Sequence, residues 1–322
     1  MNRNRLTIAT RGSALALWQS SFIKSRLEQL HPDLPVDVRI VKTLGDKILD
    51  SPHSKIGDKG LFTKEIEQAL LENKADLAVH SLKDLPTVLP EGLEIAAITE
   101  REDLHDVFVA RQGSEIRSLN NLPANAKIAT GSLRRRCQLL RHRNDLSIID
   151  IRGNLATRLH KLDESDWYGM ILAKAGLTRL GLGDRISEVL PFDIMLPAVG
   201  QGALAVESRS NDSWVRDLVL PLYHHQTFRA VGGERALLRT LEGGCQIPIG
   251  AHGWIENGVF FLEAFIGSLD GKRVVRGTLH GPPDQSETLG VNLATLLLNQ
   301  GGRPILDEIR ADSEASFHPG GA

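Results

Sequence analysis

Two cysteines in 322 residues, Cys137 and Cys245, are too few for a disulfide framework or a cysteine-built zinc site, and no His/Glu pair stands at a convincing ligand spacing. Metal dependence is therefore not expected. Aromatic residues make up only 5% of the chain, which provides little for stacking nucleic-acid bases. Charge of one sign is lacking as well: 38 Lys+Arg against 40 Asp+Glu give a formal net charge of -2. The whole molecule thus attracts neither nucleic acid nor an anionic membrane, and any anion site must be local. No apolar run approaches a membrane span. The segment Met1-Asn2-Arg3-Asn4-Arg5 leads directly into a strand-like run, without a secretory hydrophobic region or a transit segment, so cytoplasmic residence is expected.

What is present is an ordinary globular composition, 41% hydrophobic and 24% charged, in a chain longer than one core usually holds. Short β-like runs alternate with amphipathic stretches, which predicts α/β domains with largely parallel sheets. One series has predicted strands at 6–10, 36–42 and 76–80 and predicted helices at 14–30 and 62–73. A second series of the same period starts near Asp106, with strands at 107–110, 127–130, 147–151 and 169–173 and helices at 133–143 and 155–162. Two similar α/β domains follow, and a strand at 203–207 is placed to return the chain to the first. From Trp254 onward, strand-rich alternation, turns at Glu256-Asn257-Gly258 and Leu269-Asp270-Gly271, and a helix over 285–299 predict a small α+β domain with an antiparallel sheet. The expected boundaries are 1–102 with 200–219, then 103–199, then 220–311, and a disordered tail over 312–322.

Four local patterns carry chemistry. In Leu241-Glu242-Gly243-Gly244-Cys245-Gln246, two glycines permit a tight loop that presents the thiol to another group, although a small buried residue beside a turn fits as well. The polar stretch from Gly45 to Gly60 reads either as a lid over a site or as a solvated connection. Strands ending in Thr10-Arg11-Gly12-Ser13 and in Thr130-Gly131-Ser132-Leu133-Arg134-Arg135-Arg136 open into helices. Free backbone N–H groups, the helix dipole and an arginine fork make such a junction an anion cradle, while each one alone is equally an N-cap beside a solvated face. Arg152-Gly153-Asn154 with Arg158 follows another strand, and Arg179 lies a short helix after the next. Repetition at successive strand ends favours a site for a polyanion. Last, His80-Ser81-Leu82-Lys83-Asp84-Leu85-Pro86 sets a carboxylate at a strand's C-terminal edge, where a turn residue is the ordinary alternative.

Together Arg11-Gly12-Ser13, the 80–86 segment, Gly131-Ser132-Leu133-Arg134-Arg135, Arg152-Gly153-Asn154, Pro197-Ala198-Val199-Gly200-Gln201-Gly202 and Leu241-Glu242-Gly243-Gly244-Cys245 closely resemble the porphobilinogen deaminase family, also called hydroxymethylbilane synthases. The resemblance runs in order from about Leu6 to Arg310. It implies a transferase of tetrapyrrole biosynthesis, monomeric, that joins four porphobilinogen molecules head to tail and releases ammonia at each addition. It also implies a dipyrromethane cofactor, attached through a thioether to Cys245, on which the chain grows before hydrolysis frees hydroxymethylbilane. By resemblance Asp84 is the catalytic carboxylate. Arg11, Ser13, Lys83, Thr130, Ser132, Arg134, Arg135, Arg152, Arg158 and Arg179 would meet the acetates and propionates in a cleft between the first two domains, with Gln19, Ser81 and Gln201 as neighbours. Lys55, Lys59 and Phe62 match the loop and helix start that cover this cleft, Phe62 stacking on a pyrrole. Gly131 departs from the family pattern, since many relatives carry a second hydroxyl residue there. Cys137, in a helical stretch, is expected to be structural.

The paired α/β domains also look like those of periplasmic solute-binding proteins, so a noncatalytic binder of anionic ligands is the alternative. It leaves Cys245 and Asp84 without a role.

Overall fold

A computed structural model describes residues 4–47, 63–242 and 247–317. Lys55, Lys59, Phe62 and Cys245 lie outside the described residues. From the N-terminus run β1 (Leu6–Thr10), α1 (Ala14–Leu30), β2 (Val36–Ile40), α2 (Leu44–Lys47), α3 (Lys64–Leu71), β3 (Leu77–Ser81), β4 (Leu93–Ile98), β5 (Asp106–Ala110), β6 (Lys127–Ala129), α4 (Leu133–His142), β7 (Ser147–Ile149), α5 (Leu155–Glu164), β8 (Gly169–Ala173), α6 (Lys174–Arg179) and β9 (Glu188–Val189). There follow β10 (Leu204–Arg209), α7 (Ser213–Val219), α8 (His225–Thr240), β11 (Ile249–Glu256), β12 (Val259–Gly267), β13 (Val274–Gly281), α9 (Ser286–Leu297) and α10 (Arg303–Phe317).

The chain divides into two compact units. The first takes in the described residues up to 47, then 63–102 and 200–228; the second takes in 103–199 and 229 onward. The first unit holds a sheet ordered β2-β1-β3-β10-β4. In it β1 lies parallel to β2 and β3, while β10 runs antiparallel to β3 and β4. Side chains alternate along β1: Leu6 and Ile8 pack with Ile23 and Leu27 of α1, and Ala9 packs with Ile66 and Leu70 of α3. With both faces covered, β1, β3 and β10 are buried almost throughout.

The second unit repeats the plan in a sheet ordered β7-β6-β8-β5-β9. There β6 is parallel to β7 and β8, and β5 is antiparallel to β8 and β9. Both sheets are therefore mixed rather than largely parallel as the alternating pattern predicted. The reversed strands are β5 and β10, the first strands formed after the chain crosses from one unit to the other. A strand arriving from elsewhere needs no βαβ crossover from its neighbour and is free to enter antiparallel. The returning strand expected at 203–207 is β10.

The second unit also contains the antiparallel meander β11-β12-β13. Leu293 and Leu297 of α9 and Leu306 of α10 cover Leu262, Ala264 and Ile266 on one of its faces. On the other, Phe265 packs on Leu196 and Cys137, and Ala251 N–H donates to Pro197 O at 3.0 Å. Burial pushes the Cys137 thiol up to about 12, so it is an inert packing group. Helix α10 runs to Phe317, so the first part of the stretch expected to be disordered is helical. Its Ala and Glu residues favour that state, and no proline intervenes before Pro319.

Candidate active site

Two sets of side chains collect at the C-terminal ends of parallel strands, one in each unit. In the first unit, β1 ends in Arg11-Gly12-Ser13. Ser13 is extended (φ -71°, ψ 147°) and accepts from Ala16 N–H at 3.3 Å, which caps α1. Next to it β3 ends at Ser81 and turns through a single 3₁₀ turn, Leu82–Asp84. Leu82 and Leu85, 1% and 5% exposed, anchor that turn from below, and this leaves Asp84 exposed. Gln19 Nε2 donates to Ser81 Oγ at 2.7 Å, tying α1 to the turn. Arg11, Ser13, Gln19, Thr63, His80, Ser81 and Asp84 line one pocket, with Leu15, Ala16, Ile66 and Val79 as its apolar wall.

The Gly200-Gln201-Gly202 segment braces this turn. At Gly200, where φ is +72°, an added Cβ would stand 2.9 Å from Leu82 Cγ, so only glycine allows the approach. Gln201 is fully buried; its Oε1 accepts from Lys83 Nζ at 3.5 Å, and its carbonyl accepts from Arg101 Nε at 2.7 Å.

Beneath the pocket lies an ionisable cluster that motif reading did not single out. His80 Nε2 meets Glu207 Oε2 of β10 at 2.9 Å, with side chains 6% and 0% exposed. Glu67 of α3 is 6% exposed, and burial, opposed by Thr63 and His80 and reinforced by the charge of Glu207, raises its carboxyl above the usual range. One oxygen of each glutamate, Oε1, is buried without a hydrogen-bond partner. The signal was available in Leu204-Ala205-Val206-Glu207, a lone acid inside a strand that is otherwise apolar up to that point.

In the second unit, Ser132 caps α4 by accepting from Arg135 N–H, and Ser132 N–H donates to Thr130 Oγ1 at 3.2 Å. An added Cβ at Gly131 would lie 2.6 Å from Ile151 O, so the closeness of the next strand's exit accounts for glycine here. Arg134 and Arg135 are not the open forks that an exposed triple-arginine run suggests. They are 5% and 6% exposed and share Asp106, which is fully buried. Arg134 Nη1 reaches Asp106 Oδ2 at 2.7 Å and Leu196 O at 2.6 Å. Arg135 Nη2 reaches Asp106 Oδ1 at 2.7 Å, and its Nη1 reaches Ile171 O at 3.0 Å. Burial works against the charge of Asp106, yet the two guanidinium groups hold its carboxyl well below the usual range. Two cations facing one carboxylate leave a net positive charge at the start of α4, where the helix dipole adds to it.

Arg152 Nε contacts Asp150 Oδ2 at 3.3 Å with 28% of its side chain exposed. Arg158 Nε donates to Gly153 O at 2.7 Å, and Arg179 closes α6 with 9% exposure. Asp103, at the head of this unit, is held at about 2: burial opposes its charge, and Lys174 with His105 overcomes that. Of the expected site residues, Arg11, Ser13, Gln19, Ser81, Lys83, Asp84 and Gln201 belong to the first unit, where one pocket brings together Arg11, Ser13, Gln19, Ser81 and Asp84, and Thr130, Ser132, Arg134, Arg135, Arg152, Arg158 and Arg179 belong to the second. Among the described residues, no helix is long and apolar enough to cross a membrane.

Each α/β sheet thus carries charge at its strand ends, an exposed carboxylate in the first unit and clustered arginines in the second, the equipment of an enzyme that handles charged groups. The chain belongs to the porphobilinogen deaminase family. Residues 6–217 match the family model described as "Porphobilinogen deaminase, dipyromethane cofactor binding domain" and residues 228–299 match its C-terminal domain. The porphobilinogen deaminase of Chlorobium phaeobacteroides is 53% identical over 312 residues, 96% of this chain and 99% of the relative. That of Chloroherpeton thalassium is 51% identical over 315 residues, 97% and 99% of the two chains. Among solved structures, a TRAP periplasmic solute binding protein from Desulfovibrio salexigens aligns over 68% of this chain and 72% of its own at 10% identity, with a TM-score of 0.41, too remote to inform the site.

Proposed function

We infer that this protein is a transferase that deaminates porphobilinogen and joins four such units head to tail into hydroxymethylbilane. The observation that carries the reading is the Asp84 turn, a carboxylate held up by two buried leucines in the pocket of a chain whose relatives bear that activity. Three domains are proposed: the first unit, the α/β part of the second, and its antiparallel part, which would bear Cys245. The enzyme is read as a cytoplasmic monomer that takes neither nucleic acid nor membrane as a partner.

Each pyrrole unit carries an acetate and a propionate, and the residues present suit such a ligand. Thr130 and Ser132 leave the first turn of α4 able to receive a carboxylate, and the surplus cation of Arg134 and Arg135 supplies charge. Arg152, partly exposed and ion-paired with Asp150, offers a planar fork for a carboxylate. Arg158 and Arg179 extend the basic set along the same strand ends, and Arg11, Ser13, Lys83, Gln19, Ser81 and Gln201 serve the pocket around Asp84. Lys55, Lys59 and Phe62 are proposed to cover the bound ring. A covalent dipyrromethane on Cys245 would supply the pyrrole carbon that attacks each new unit.

Asp84 acts where positive charge develops. When the aminomethyl C–N bond of porphobilinogen breaks, the electron pair leaves with ammonia and the pyrrole becomes cationic. A fixed carboxylate stabilises that cation and accepts pyrrole N–H hydrogen bonds. After the C–C bond forms, the attacking ring must lose a proton to restore aromaticity. The purified protein should release one ammonia per porphobilinogen consumed; failure to consume porphobilinogen, with the cofactor attached, would overturn the reading.

A further inference from the structure

The His80–Glu207 pair lies against the substrate pocket rather than in a remote core: His80 lines the same pocket as Asp84 and Arg11. Glu207 takes Nε2 of the imidazole, and Nδ1 is the other nitrogen of a ring that lines the pocket. A carboxylate that accepts Nε2–H fixes the tautomer in which Nδ1 carries a lone pair, and it stabilises the imidazolium formed when Nδ1 takes a proton. Among the described residues, the other charged groups facing this site are Glu67 from α3, across from β10, and Arg11 and Asp84 on the pocket wall. Gln19 and Ser81, the polar neighbours from α1 and β3, are neutral. Two buried glutamates, each with an unpartnered oxygen, surround one imidazole, a costly arrangement for packing alone.

We propose that His80, held by Glu207, is the proton acceptor of the elongation step, a role separate from the cation stabilisation by Asp84. The α C–H bond of the attacking pyrrole breaks, its electron pair restores the aromatic ring, and the proton passes to His80 Nδ1. From there it goes to the departing ammonia, which leaves as ammonium, and the imidazole returns to its starting state. One proton is taken and one is given in every cycle, so no further co-reactant is needed. The proposal rests on the porphobilinogen-deaminating reading of the site.

The test combines His80→Gln and Glu207→Gln with ring-nitrogen NMR of His80 in the full-length protein. His80→Gln keeps a donor for Glu207 and removes the titrating nitrogen; it should lower turnover about 10²- to 10³-fold, with an unchanged covalent adduct by mass. Glu207→Gln removes the charge that favours imidazolium, so the acid limb of the kcat/KM profile should move to lower pH, and the ring-nitrogen signals of His80 should change with it. A purely structural pair would change melting temperature and leave both readouts in place. If the Glu207→Gln and parent pH profiles superimpose, or His80→Gln keeps more than a third of parent turnover, the relay is wrong. If the parent itself consumes no porphobilinogen, the functional reading fails first and the relay with it.

Discussion

The two units share a sheet plan but invest charge in opposite ways. At the strand ends of the first, the exposed acid Asp84 stands on a turn locked by leucines, and buried acids accumulate around His80. At those of the second, arginines accumulate around one buried acid, Asp106. On the proposed reading, one fold plan yields a set of strand ends suited to cations that form during reaction and another suited to anions that are permanently present. The difference lies in a few strand-end residues, because the sheets, their alternating cores and their capping serines are nearly the same.

The largest effect should come from removing charge in the first unit. Asp84→Asn keeps the turn and some hydrogen bonding, and should lower turnover by about 10²-fold or more, with the covalent adduct intact by mass spectrometry; appreciable activity would dissolve the contrast between the units. Next, Asp106→Ala leaves two buried guanidinium groups uncompensated and should cost about 3–5 kcal/mol in denaturant unfolding. A loss under 1 kcal/mol would mean that the second unit tolerates its arginines without this acid. Arg152→Ala should change stability by less than about 1 kcal/mol, since it breaks only a partly exposed pair. It should instead accumulate one intermediate chain length on native gels, and uniform slowing of every addition would argue against ring-by-ring registration.

The smallest effects concern backbone fit and acid stability. Gly131→Ser places a Cβ against Ile151 O and should destabilise by about 1–2 kcal/mol, measurable by thermal melting. Asp103 has its folded-state pKa lowered to about 2 from 3.8. Its stabilisation is therefore fully present above the unfolded value and lost as pH falls from about 4 toward 2. Asp103→Asn should lower the melting temperature at pH 6 and converge with the parent near pH 2; equal deficits at both pH values would contradict the sign.

Much of this was legible in the sequence where local rules govern. Leu6–Thr10, Ala14–Leu30 and Gly169–Ala173 fall at the expected residues because periodicity, a serine cap and a glycine-bounded run mark them locally. Strand direction was not legible, since β5 and β10 acquire theirs from pairing partners far along the chain. The site divides in the same way. Arg11, Ser13, Ser81 and Asp84 are brought to one pocket by adjacent strand ends, as junction motifs imply. The burial of Arg134 and Arg135 was hidden because their partner, Asp106, is 28 and 29 residues away and shows only as an acid opening an apolar strand. The His80–Glu207 pair spans 127 residues, and a register between antiparallel strands, not a motif, joins it.

The reading as a porphobilinogen-joining transferase is tested most directly by intact mass of the purified protein beside its Cys245→Ala variant. The account predicts that the parent exceeds the chain mass by two porphobilinogen units less two ammonias, gains further pyrrole units on exposure to porphobilinogen, and that the variant does neither. A parent isolated at the bare chain mass from cells able to make porphobilinogen, and unchanged after incubation with it, would contradict the account.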